Sequence, residues 1–269
     1  MEYWVRVEPN VRIYVNDINP KGKNPILFIH GWPANHRMFE YQYNFLIAMG
    51  YRCIGMDTRG FGRSDKPTYG YSYDRLANDV RAVVEALNLK GITLAGHSTG
   101  GAIAIRYTAR HRAYGLSRLA LFASAAPSLV QRPGFPYGIP VETVEGIIRS
   151  AYIDRPQMLH DFGEMFFYKK VTPSFANWFF LMGLEAASWS TIAVAKIWIA
   201  ETLFEDLPRI HIPTLILHGI HDQIVPYPLG QIQHEGIVGS EFVTFENSGH
   251  GLFYDEMDKF NDELVRFIR

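Results

Sequence analysis

The chain has 269 residues, 48% of them hydrophobic and 20% charged, which suits one large α/β domain or two small ones and excludes a disordered chain. A formal net charge of -1 offers no basic field for nucleic acid or an anionic membrane, so a small neutral substrate is the favoured partner. The single cysteine, Cys53, rules out an internal disulfide and a cysteine-rich zinc site. The N-terminus has no basic-then-apolar leader, and no run approaches the roughly 18 apolar residues of a membrane span. The expectation is a soluble cytoplasmic protein.

Taken in chain order, residues 3–7 and 11–15 alternate apolar and polar around Glu8-Pro9-Asn10 and predict an antiparallel hairpin. Asn16 to Asn24 is polar and predicts a loop. Pro25-Ile26-Leu27-Phe28-Ile29 is continuously apolar, as in a strand buried on both faces, and ends at His30-Gly31-Trp32-Pro33. Residues 37–49 predict a helix, and 52–56 the next buried strand. Leu76, Val80, Val83, Val84 and Leu87 fall on one helical face. Residues 91–95, 119–123, 213–218 and 241–245 predict four more strands. Met257, Phe260, Leu264, Phe267 and Ile268 stripe a closing helix. Strands alternating with helices mean a mostly parallel sheet of eight strands, covered on both faces. The rhythm breaks between about Pro127 and Pro208, a stretch rich in aromatics with no clear strand. It predicts a helical cap, residues 127–208, inserted into a core made of residues 1–126 and 209–269. Most cap aromatics pack that layer on the core, and a few should wall a ligand pocket at the strand ends.

Gly96-His97-Ser98-Thr99-Gly100 stands between a predicted strand and a helix rich in small residues. Alone, a G-x-S-x-G pattern is weak, since a glycine-rich turn also precedes many helices. In this context it is a nucleophile elbow: the serine sits at a strained apex, and Gly96 and Gly100 leave room for passing chains. A serine hydroxyl needs a base, and the base needs an orienting group. Of ten histidines, His250 in Asn247-Ser248-Gly249-His250-Gly251 follows the last strand, on the sheet edge to which the elbow points. His97 is next to the serine, where neighbours on a sharp turn point apart, and His30 is better placed to brace loops. His36, His111, His160, His211 and His234 have only surface or packing roles. Asp222, directly after the seventh strand, is the orienting carboxylate. Glu246, Asp255 and Asp258 are closer to His250 in sequence but lie in a bend or helix start and should point away. The oxyanion donors are the main-chain N–H groups of Thr99 and Trp32, because Pro33 has none.

These motifs, His30-Gly31-Trp32-Pro33, Asp57-x-Arg59-Gly60-x-Gly62-x-Ser64, Gly96-His97-Ser98-Thr99-Gly100-Gly101, Gly219-x-x-Asp222-x-x-Val225-Pro226 and Ser248-Gly249-His250-Gly251, occur in the order of an α/β-hydrolase. The chain resembles that superfamily over its whole length, and most closely its cofactor-free haloperoxidase and arylesterase group. The resemblance implies an α/β-hydrolase fold and hydrolysis of small carboxylic esters without haem or metal. It further implies a side reaction in which hydrogen peroxide attacks the acyl-enzyme. It carries over Ser98, Asp222 and His250 as a triad and the Trp32 and Thr99 amides as an oxyanion hole. Lactone, amide and C–C hydrolysis use the same triad, and a ligand receptor on a hydrolase scaffold is the competing class.

Overall fold

A computed structural model describes residues 1–269. Strands β1 (Glu2–Glu8) and β2 (Val11–Ile18) form the N-terminal hairpin, followed by β3 (Lys23–Ile29). A short 3-10 turn (His36–Phe39), capped by the Asn35 side chain accepting from Arg37 N–H, leads into α1 (Glu40–Ala48). The predicted helix over 37–49 therefore begins as a tighter turn. Then come β4 (Tyr51–Met56), α2 (Tyr73–Ala86), β5 (Ile92–His97), α3 (Thr99–Arg110) and β6 (Leu116–Phe122). Four helices fill the stretch before the next strand: α4 (Val141–Ile153), α5 (Arg155–Glu164), α6 (Pro173–Leu184) and α7 (Ser188–Ala200). The chain ends with β7 (Thr214–Gly219), α8 (Pro228–Gly236), β8 (Glu241–Phe245), α9 (Leu252–Asp255) and α10 (Met257–Ile268).

The eight strands form one sheet in the order β1-β2-β4-β3-β5-β6-β7-β8. β1–β2 and β2–β4 pair antiparallel, and the other pairs are parallel. From β3 the chain steps one way to β4, then returns across β3 to β5. The loops after β3 and β5 therefore leave the sheet in opposite directions and open a crevice at their carboxyl ends, where open α/β sheets bind ligands.

Local sequence explains the elements. Ser72 caps α2 by accepting from Arg75 N–H, and the predicted stripe Leu76, Val80, Val83, Val84 is buried. Asp154 and Thr172 cap α5 and α6, each with a proline in the first turn. β2 runs to Ile18, beyond the predicted residue 15, because residues 15–18 pair with 53–56 of β4. The polar Asp17 is tolerated there since the Arg52 guanidinium binds both its oxygens at 2.9 and 2.6 Å. Cys53, in the middle of β4, is free and fully buried, and burial pushes its thiol pKa up to about 12. No single helix is long and apolar enough to cross a membrane.

Candidate active site

Ser98 joins β5 to α3 with φ 55° and ψ -121°, a backbone conformation that non-glycine residues rarely adopt. The turn is pinned on both sides: Ser98 N–H donates to the Phe122 carbonyl of β6, and its own carbonyl accepts from Ala102 and Ala125. A Cβ on Gly96 would strike the Gly100 carbonyl, and one on Gly100 would strike the carbonyls of Ile29 and His30. The predicted need for glycine at both positions is therefore steric.

Asp222 follows β7, and His250 lies between β8 and α9. The imidazole Nδ1–H donates to Asp222 Oδ2 at 2.8 Å, and both side chains are fully buried. Asp222 Oδ1 accepts from the amides of Ile224 and Val225, both at 2.8 Å. His218 Nε2 lies 3.4 Å from Oδ2 while donating to the Val225 carbonyl. Burial would raise the Asp222 pKa. The charge and hydrogen bond of His250, with those of His218, more than offset it and hold the carboxyl well below its ordinary range. Because Nδ1 carries the proton toward Asp222, Nε2 presents a lone pair, and that buried atom has no hydrogen-bond partner. The structure thus joins Asp222 to His250 but closes no hydrogen bond from the imidazole to Ser98. Such links are often long before substrate binds.

The main-chain N–H groups of Trp32 and Thr99 donate to no acceptor within the protein. Helix α7 holds both residues by their side chains. The Trp32 indole N–H donates to the Thr191 carbonyl at 3.0 Å, and the Trp198 indole N–H donates to Thr99 Oγ1 at 3.1 Å. The Trp32 ring meets Phe162 and Trp198 edge-on at 4.9 and 5.1 Å. His30 braces the loops: Nδ1–H donates to the Gly31 carbonyl, and Nε2 accepts from Thr58 N–H. Gly31 also accepts from Ala34 N–H, which closes the turn. Burial lowers the His30 pKa, consistent with a neutral ring used as an acceptor.

Several contributors are not foreseen by the sequence. His97 Nε2–H donates to the His250 carbonyl at 2.9 Å, and the two rings sit 4.5 Å apart. Phe166, after α5, meets the His250 ring edge-on at 4.8 Å, and its carbonyl accepts from Gly251 N–H. Asp255 does not point away as expected. Its carboxylate turns back onto Gly249 N–H and onto the amides of Tyr168 and Lys169, because a short helix ends there and folds the side chain under the loop. The other rivals are elsewhere: Glu246 pairs with Lys259, and Asp258 is exposed. His36, expected only to pack, forms a buried pair with Asp57 at 2.7 Å that ties the loop after β3 to the end of β4. The one available signal was local, a carboxylate five residues after His250. The tryptophan and phenylalanine contacts depend on how α5 and α7 sit on the sheet.

His160, Asp161 and Glu164 form an exposed group on α5, apart from the Asp222–His250 pair. A cavity of about 700 Å³ between α5 and α6 is walled by Phe167, Tyr168, Phe179 and Phe180, and neither Ser98 nor His250 lines it.

Residues 26–263 match the model of an alpha/beta hydrolase family. The chain is 46% identical over 267 residues to the AB hydrolase superfamily protein YisY of Bacillus subtilis, covering 99% of each. It is 32% identical over 276 residues to a non-heme chloroperoxidase of Streptomyces lividans, covering 98% of this chain and 99% of that one. Among solved structures, an esterase from Exiguobacterium antarcticum superposes with a TM-score of 0.96 at 42% identity, covering 100% of this chain and 99% of that one.

Proposed function

The chain belongs to the α/β-hydrolase family, in its non-heme haloperoxidase and esterase group, and from that premise we propose that it hydrolyses small carboxylic esters through an acyl-enzyme on Ser98. The observation that carries this reading is the Asp222–His250 pair with its Nε2 lone pair uncommitted, together with the strained backbone turn at Ser98. His250 takes the hydroxyl proton as Ser98 Oγ attacks the ester carbonyl, and Asp222 holds the tautomer and stabilises the imidazolium. The Trp32 and Thr99 amides, uncommitted in the fold, receive the oxyanion, which puts roughly 10²–10³ in rate on each donor. His250 then protonates the leaving alcohol, and water repeats the sequence to release the acid.

Hydrogen peroxide in place of water would give a peracid able to oxidise halide, a reading supported by the similarity to a non-heme chloroperoxidase. Residues 127–208 serve as a cap over the reaction centre, with Trp198 and Phe162 against the Trp32 loop, and so set the acyl preference. The test is hydrolysis of p-nitrophenyl acetate by Ser98→Ala. Activity should fall by about 10⁴–10⁶, and hydrolysis at the parent rate would refute the serine mechanism.

A further inference from the structure

The roles proposed for Ser98 and His250 leave a buried carboxylate unexplained. Asp255 is 1% exposed. Its oxygens accept three main-chain N–H groups. Oδ2 takes Gly249 and Tyr168, both at 2.9 Å, and Oδ1 takes Lys169 at 3.0 Å. Gly249 immediately precedes His250, whereas Tyr168 and Lys169 lie between α5 and α6. One carboxylate therefore fastens the helical layer to the histidine loop.

We propose that Asp255 is a positioning residue that couples the seating of the 166–169 segment to the placement of His250. The proposal rests on the triad reading above. The main chain around His250 is held at three consecutive residues. Gly249 N–H is held by Asp255, the His250 carbonyl by His97 at 2.9 Å, and Gly251 N–H by the Phe166 carbonyl at 2.8 Å. The first and third ties lead to the same short segment between α5 and α6. Tyr168 extends the fastening sideways, stacking on His221, next to Asp222, with ring centroids 4.0 Å apart.

With Nδ1 fixed on Asp222, the reach of Nε2 toward Ser98 depends on where this main chain sits. That reach is not closed by a hydrogen bond in the structure, so a small displacement acts directly on proton transfer. A carboxylate suits the task because it only accepts and has sites for three donors. Burial pushes its pKa up, while the three amides and the charge of Lys169 pull the other way.

The test is Asp255→Asn, which keeps the shape but turns an NH₂ group toward a main-chain donor. Active sites are counted by stoichiometric reaction of Ser98 with a phosphonate ester, and turnover is expressed per titrated site. A positioning role gives a kcat per site about tenfold lower with KM within about twofold of the parent. Parental kcat per site overturns the proposal, even if fewer sites titrate, because that is the signature of a purely structural residue. Should the variant fail to fold, amide hydrogen exchange of the unaltered protein decides. Gly249, Tyr168 and Lys169 should be protected to the same degree. Free exchange at Tyr168 and Lys169 beside a protected Gly249 overturns the coupling. Undiminished hydrolysis by Ser98→Ala would instead sink the triad reading and leave the exchange result standing.

Discussion

The sheet and the helical layer of residues 127–208 hold the candidate site by different means. In the sheet, position follows from backbone ladders. Ile29 of β3 pairs with Gly96 of β5, and Gly96 pairs with Leu121 of β6, so the ends of three strands are aligned before any side chain is considered. The helical layer shares no ladder with those strands. It reaches the site through a few single bonds: Trp198 to Thr99, Trp32 to Thr191, Gly251 to Phe166, and the amides on Asp255. A ladder is redundant, so losing one bond moves little. A single bond is not. The sheet therefore places the candidate residues, and the helices adjust them.

The comparison can be broken at three points beyond the Ser98 and Asp255 substitutions. Asp222→Asn removes the carboxylate that accepts the His250 Nδ1–H, and kcat should fall by about 10⁴. A fall of less than tenfold would mean that Asp222 is not the group that orients the imidazole.

Trp198→Phe removes the indole donor to Thr99 Oγ1 and trims the buried ring that meets Trp32 edge-on. Activity on p-nitrophenyl acetate should drop by about threefold to tenfold, in line with one hydrogen bond of about 1 kcal/mol. No change at all would show that α7 does not adjust the Thr99 turn.

The mildest effect is that of pH on stability. Burial holds the His97 pKa well below its ordinary value, with the nearby His250 charge acting in the same direction, and burial also lowers that of His30. The unfolded chain binds these protons at about 6.5, so folding is favoured most above that pH and loses stability as pH falls below it. The depressed Asp222 carboxyl adds a further loss below about pH 4, where the unfolded group takes up its proton. A melting temperature that declines steadily from pH 7 to 5 fits this sign. A flat one would mean that both imidazoles take up protons in the fold as readily as in the unfolded chain.

Much of the architecture is legible in the sequence because buried parallel strands are read from continuous apolar runs, as in Pro25–Ile29 and Leu215–Leu217. The closing helix is equally plain, with Phe260, Leu264 and Ile268 buried on one face. Asp17 shows where such reading stops, since a polar residue entered a strand once Arg52 of β4 satisfied it. The elbow glycines and the pairing of Asp222 with His250 follow from strand order and loop placement. What sequence order could not convey is how side chains turn once helices pack. Asp255 folded back where a bend suggested it would face away, and His97, expected only to point apart from the serine, reaches the His250 carbonyl.

Cys53 has a practical consequence. A lone thiol in the middle of β4, fully enclosed and held in its protonated form, should be nearly inert to alkylating reagents while the native sheet persists. Its labelling rate then reports how often the centre of the molecule comes apart, a built-in clock for global opening that needs no added probe. Motion limited to the helical layer would not advance that clock.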